Sequence, residues 1–163
     1  MDDYVKLSLN AIKNYLENKT YLREFNDYFK NMSNGIVVKI ENGGRLKGIS
    51  GSIFPSKENM GLDIVYESIN AGFFDLSFNP ITKNNIKNLD ITIYEFYDVE
   101  RLPFIEDFDD YDGVMINFMD KNHYVFRKDF DSDLDMLKEA IKKANVDSWD
   151  NFSIDKFKVN IHK

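Results

Sequence analysis

From Tyr4 to Glu17, apolar residues fall at Tyr4, Leu7, Ala11, Ile12, Tyr15 and Leu16, while Lys6, Asn10, Lys13, Asn14 and Glu17 lie mostly elsewhere. That spacing predicts an amphipathic helix. Tyr21 to Met32 places Leu22, Phe25, Tyr28, Phe29 and Met32 on one side, so a second helix is expected there, broken by Ser33-Asn34-Gly35. The run Gly35 to Glu41 reads as a strand. Asn42-Gly43-Gly44 tolerates positive φ and predicts a turn into a partner strand from Arg45 to Ser52. Residues 58–74 predict another helix, with Leu62, Val65, Tyr66, Ile69 and Phe73 as its apolar face, ended before Pro80.

Thr82 to Asn88 is expected to be a polar connection or a single helical turn. Leu89 to Tyr97 alternates, with Ile91, Ile93 and Glu95 on one face and Thr92, Tyr94 and Phe96 on the other, as a strand does. After an acidic loop from Val99 to Asp112, two strands are expected at 113–119 and 123–126 around Asp120-Lys121-Asn122. The final helix has Ser132 as its cap, Asp133 and Asp135 at the positive end and Lys142-Lys143 at the negative end. Its inward residues should be Leu134, Leu137, Ala140, Ile141 and Ala144. Phe152 to Ile161 predicts a closing strand. Without a regular βαβ repeat, the expected class is α+β with a mostly antiparallel sheet, in a single domain over residues 1–163.

Hydrophobic residues make up 43% of the 163, enough for a packed core, and 14 Phe with 9 Tyr make that core aromatic. There is no cysteine, which removes disulfides, thiolate nucleophiles and thiolate metal sites together. Met1-Asp2-Asp3-Tyr4 has neither the basic start nor the apolar run of a signal peptide. No apolar stretch approaches the roughly 20 residues that cross a bilayer. A cytoplasmic protein without a membrane role is therefore expected. The net charge of −7 repels phosphate backbones and argues against a nucleic-acid partner.

Several segments carry a pattern in order along the chain. They are Tyr15-Leu16-Glu17, then Leu46-Lys47-Gly48-Ile49-Ser50-Gly51, then Ala71-Gly72-Phe73-Phe74-Asp75-Leu76-Ser77-Phe78-Asn79-Pro80, then Leu89-Asp90-Ile91-Thr92-Ile93, then Asp147-Ser148-Trp149. Together they resemble the AMMECR domain family, whose second signature reads Leu-Arg-Gly-Cys-Ile-Gly and whose third reads Ala-Ala-x-x-Asp-Pro-Arg-Phe-x-Pro. The resemblance covers roughly residues 4–161. It implies a compact α+β fold of two closely packed subdomains, with no established activity. Bacterial members are often associated with Memo-like and radical S-adenosylmethionine proteins, which implies an accessory role. Here Lys47 replaces the family's Arg, Ile49 its Cys, and Leu76-Ser77 its Pro-Arg. Lysine keeps the charge but not the planar bidentate fork of guanidinium.

Each chemical candidate competes with a plainer reading. Gly48 and Gly51 fit a backbone that approaches an anionic ligand, but isolated glycines serve tight bends more often. No Gly-x-x-x-x-Gly-Lys-Ser/Thr or Gly-x-Gly-x-x-Gly occurs. Asp75 fits an acid/base or anchoring role, yet Asp after a helix usually accepts from the amides of its own turn. Ser50 lies beside the missing cysteine position, and Gly48-Ile49-Ser50-Gly51 is one residue short of a nucleophile elbow. His123 and His162 lack metal-ligand spacing and should be exposed or partly packed. Calcium frames in Glu106–Gly113 and Asp131–Asp135 fail, because Met119 or Lys142 would stand at the twelfth ligand position. Phe73 and Phe74 cannot both point inward from a helix end, so one is expected at the surface, where it would favour a protein interface.

The reading that follows is an accessory binding domain whose surface comprises Lys47, Gly48, Ser50, Gly51, Asp75 and Phe78. A protein or a small ligand is the expected partner, and a homo-oligomer is left open. No metal or cofactor is expected. The alternatives are a modifying-enzyme subunit with Lys47 and Asp75 as acid/base, and a nucleic-acid-linked regulator, which the charge disfavours.

Overall fold

In the computed structural model, residues 1–102, 110–119, 121–146 and 152–163 are described. The acidic loop around Phe104 and Phe108, Asp120 of the expected turn, and Asp147-Ser148-Trp149 lie outside the described residues. The elements are α1 (Asp3–Asn18), α2 (Asp27–Lys30), β1 (Gly35–Asn42), β2 (Arg45–Ser52), α3 (Met60–Ile69), β3 (Leu89–Arg101), β4 (Gly113–Phe118), β5 (Lys121–Phe126), α4 (Asp133–Ala144) and β6 (Phe152–His162). The strands form a six-stranded antiparallel sheet in the order β2-β1-β3-β6-β4-β5. The fold is therefore α+β. Among the described residues, no helix is long and apolar enough to cross a membrane. The chain divides into two compact units, Met1–Phe96 with Asn160–Lys163, and Tyr97–Val159.

The first unit is built around α3. Its core joins Leu7, Ala11 and Ile12 of α1, Ile36, Val38 and Ile40 of β1, Ile64, Val65 and Ile69 of α3, and Ile91 and Ile93 of β3. The alternation predicted for β3 holds: Ile91 and Ile93 point into this core. The expected apolar face of α3 holds only in part: Val65 and Ile69 are fully buried and Phe73 packs on the core. Met60, Gly61, Asp63, Ile64, Val65, Glu67, Ser68 and Ile69 are all buried, so the helix is enclosed nearly all round, while Leu62 and Tyr66 are only half-buried. Periodicity failed here because Asp63, Glu67 and Ser68 look like a solvent face. Each instead has a partner. Asp63 accepts from the Ser56 amide and hydroxyl and from the Lys57 amide. Ser68 Oγ bonds Ser8 Oγ of α1 at 2.6 Å.

The second helix expected, Tyr21 to Met32, is reduced to the four residues of α2. Lys19 in the left-handed region ends α1, and Asn26 starts α2 by accepting from the Tyr28 amide. Between them, Tyr21 stacks on Tyr66 at 4.4 Å. Phe25 lies where a Cβ on Gly61 would collide with its ring. Contacts with α3 thus outweigh the local helical spacing, which on its own gives a short helix little stability.

In the second unit, β4 and β5 pair from Gly113↔Phe126 to Phe118↔Lys121. The α4 helix packs on them, and Ser132 caps it by accepting from the Asp135 amide, as its sequence predicts. The buried residues of α4 are Met136, Leu137, Ala140 and Ala144. Leu134, expected inward, is 59% exposed, and Met136 takes its place at 0%. The reason is helical phase: Leu134 and Met136 lie about 200° apart around the axis, and it is the Met136 face that meets the apolar cluster formed by Val114, Ile116, Val125 and Ile154. Met136→Ala should therefore cost about 2–5 kcal/mol of stability. Leu134→Ala should change stability by less than about 0.5 kcal/mol. Urea unfolding followed by circular dichroism separates the two.

Candidate functional site

The α3 helix runs on into a π-helical turn, Asn70–Phe74, which ends at Asp75. Such turns re-aim the residues that follow them. This one lies against β2 so closely that a Cβ on Gly48 would collide with the Ala71 carbonyl oxygen. Gly48 is thus required by packing between a strand and a helical turn. Gly51 is required too, because its φ is +129° and a Cβ there would meet the Ile36 carbonyl. Lys47 is the extra residue of a β-bulge: consecutive Ile40 and Glu41 of β1 face Gly48 and Leu46, leaving Lys47 opposite neither.

Since β2 is an edge strand, its outer amides need another acceptor. The Ile49 amide donates to Asp75 Oδ2 at 3.1 Å, and the Ser77 amide donates to Asp75 Oδ1 at 3.0 Å. These bonds, Ser77's first and then Ile49's, hold the Asp75 carboxyl below the usual carboxylate range. The turn-capping role expected of Asp75 is present, and it extends to the strand edge. Pairing of Asp75 with Lys47 is absent among the ion pairs of the described residues.

One residue further, the pleat turns Ser50 inward, on the same face as its partner Val38. Ser50 Oγ donates to Glu67 Oε2 at 2.6 Å, and Asn70 Nδ2 donates to the same oxygen at 3.3 Å. Glu67 is only 9% exposed. Beside this network lies an open groove of about 690 Å³, lined by Ile49, Ser50, Asn70, Phe74, Asp75, Leu76 and Ser77. Its rim is apolar and unusually bare: Leu76 is 100% exposed, Phe74 51% and Ile49 42%. Phe73 turns inward onto Tyr15 at 4.9 Å, so the expected division of the Phe73-Phe74 pair is seen, with Phe74 at the surface.

A second polar cluster escaped sequence reasoning. His162 Nδ1 lies 3.2 Å from Asp2 Oδ2 and its Nε2 lies 3.3 Å from Glu95 Oε2. The imidazole stacks on Tyr4, centroids 3.6 Å apart. Glu95, on the Ile91-Ile93 face of β3, also accepts from Asn34 and Asn160. Burial alone would raise the Glu95 carboxyl, but hydrogen bonds from His162, Asn160 and Asn34 outweigh it and bring it down to about 2. Burial would likewise lower the His162 pKa, yet its hydrogen bonds to Glu95 and Asp2 raise it above the usual 6.5. The only sequence signal was a carboxylate at an inward strand position.

Comparison with known proteins bears directly on the groove. The AMMECR1 family model matches residues 5–162. The chain belongs to the AMMECR1 family. Protein CA_C1420 of Clostridium acetobutylicum is 27% identical over 169 residues, covering 99% of this chain and 36% of the relative. The chain thus spans about a third of that relative's length. The crystal structure of the uncharacterised protein PH0010 from Pyrococcus horikoshii superposes with a TM-score of 0.77 at 18% identity, covering 97% of this chain and 88% of that one. This likeness shows a shared fold.

In AMMECR1 terms, the signature expected along β2 and the one that follows α3 meet at this groove. Of the six residues singled out from sequence, Ser50 and Asp75 line it. Gly48 and Gly51 shape the strand beneath. Phe78 is half-buried, its amide bonded to the Asp75 carbonyl, and neither it nor Lys47 is a lining residue. Ile49, Phe74, Leu76 and Ser77 do line it, three of them (Ile49, Leu76 and Ser77) at positions where the chain departs from the signature. Because the Ala71 carbonyl cannot yield, Gly48→Ala should destabilise the protein by about 1–3 kcal/mol, read as a lower urea midpoint.

The His162 cluster sets a pH profile. Glu95 has its pKa depressed from 4.5, so its contribution is complete above about 4.5 and fades as pH falls towards 2. His162 has its pKa raised, so its contribution is complete below 6.5 and fades as pH rises through the folded value. Both act together between about pH 4.5 and 6.5. Urea midpoints across pH 3–9 should peak there, and His162→Gln should flatten the alkaline decline. An unchanged slope in that variant would exclude His162 as its source.

Proposed function

We propose that this domain is a non-catalytic binding module that holds an apolar segment of a partner protein in the groove beside β2. The observation that carries this reading is the exposed trio Ile49, Phe74 and Leu76 around an open groove. Bare apolar side chains gathered at one place mark interaction sites. The rim is rigid, because Asp75 ties it to the strand edge and the π-helical turn lies flush on Gly48. A preformed rim lowers the ordering cost of association.

Its chemistry favours binding over reaction. Isoleucine occupies the family's cysteine position, so no thiolate stands there. The Ser50 hydroxyl is committed to a carboxylate, a far weaker base than the imidazole that usually activates serine. Among the described residues, Lys47 and Asp75 form no ion pair.

A photo-crosslinking amino acid in place of Leu76, irradiated in the cells that make the protein, should give discrete protein adducts. Combining it with Ile49→Glu and Phe74→Ser should remove them while shifting stability by less than about 1 kcal/mol, since both sites are exposed. Identical adducts from the combined variant would sink the proposal.

A further inference from the structure

We infer that the segment bound in this groove presents a basic side chain, arginine or lysine, next to an apolar one. The inference rests on the binding reading above and supplies its charge. The described residues lining the groove include no lysine or arginine. They do include Asp75, whose two oxygens each accept one backbone amide. A carboxylate offers roughly four acceptor positions, so lone pairs on both oxygens stay available.

Behind the wall stands Glu67, nine-tenths buried and, among the described residues, without an ion pair. Its two donors, Ser50 and Asn70, are neutral, and both are groove residues. Neutral donors lower the cost of burying an anion, but only a cation offsets its charge. A cation in the groove would sit beyond Ser50 and Asn70, facing both carboxylates. Phe74 adds an exposed aromatic face, a surface that attracts ammonium and guanidinium groups. The adjoining aromatic residues already receive one: Lys19 Nζ lies 5.3 Å from the Tyr15 ring centre and 5.8 Å from that of Phe73. Ile49 and Leu76 would cover the aliphatic stem and the neighbouring apolar residue. The net charge of −7 draws basic segments from a distance.

Three capped peptides test this: acetyl-Leu-Arg-Phe-amide, acetyl-Leu-Gln-Phe-amide and acetyl-Leu-Glu-Phe-amide, each titrated into 15N-labelled protein. The arginine peptide should move the amide signals of Ile49, Asn70 and Ser77. It should bind about tenfold more tightly than the glutamine peptide, from one ion pair and one cation–π contact together. The glutamate peptide should bind most weakly. Glu67→Gln and Asp75→Asn should each narrow the gap between the arginine and glutamine peptides. Ser77→Lys, at an exposed position that keeps its backbone bond to Asp75, should do the same without perturbing the fold. If all three peptides move the groove signals with equal affinity, the charge inference falls and the binding reading survives. If none moves them, the inference also falls, and the crosslinking at position 76 decides the binding reading separately.

Discussion

Enclosing α3 obliges each of its polar side chains to find a partner inside the protein, because an unpaired polar group away from water costs several kcal/mol. Most of the first unit can be derived from how that obligation is met. Asp63 gathers the Ser56 and Lys57 amides and so fixes the loop that enters the helix. Ser68 meets Ser8 and ties the helix to α1. Glu67 draws Ser50 of the edge strand and Asn70 of the π-helical turn to one oxygen. Three polar residues on one helix therefore position a loop, a helix and a strand.

The groove is a consequence of the last of these. With Ser50 and Asn70 drawn to Glu67, β2 and the π-helical turn come together, which is why only glycine fits at position 48. The turn then releases the chain at Asp75, which closes the strand edge by accepting the Ile49 amide. Phe74 and Leu76 are left facing water on either side of it. The family's signatures are thus understandable as architecture: a glycine for close approach and an aspartate for the strand edge. In this chain the position of the signature's cysteine carries isoleucine, which adds a half-exposed apolar side chain to the rim of the groove.

The cluster at His162 obeys the same rule by other means. Glu95 lies on the inward face of β3, and three donors, one of them the His162 ring that stacks on Tyr4, make its burial tolerable. Histidine between two carboxylates stays protonated more readily than in water, so this part of the molecule is sensitive to pH.

Elements with local signals were legible in the amino-acid order. The apolar spacing of α1, the Ser132 cap of α4, the Asn42-Gly43-Gly44 turn and the alternation of β3 all rest on interactions within a few residues, and each appears where expected. Legibility failed where distant contacts outweighed local preference. Tyr21 and Phe25 leave a helical pattern to pack on α3, and Met136 replaces Leu134 because only it reaches the second cluster. For the candidate site, the sequence by itself determined the pieces: two signatures, the loss of cysteine, and a surface-facing member of the Phe73-Phe74 pair. Tertiary structure decided which pieces meet. It set Asp75 on the Ile49 amide and not on Lys47, Ser50 on Glu67, and His162 on Glu95, because hydrogen bonds between residues tens of positions apart depend on strand register and helix placement, which no local pattern records.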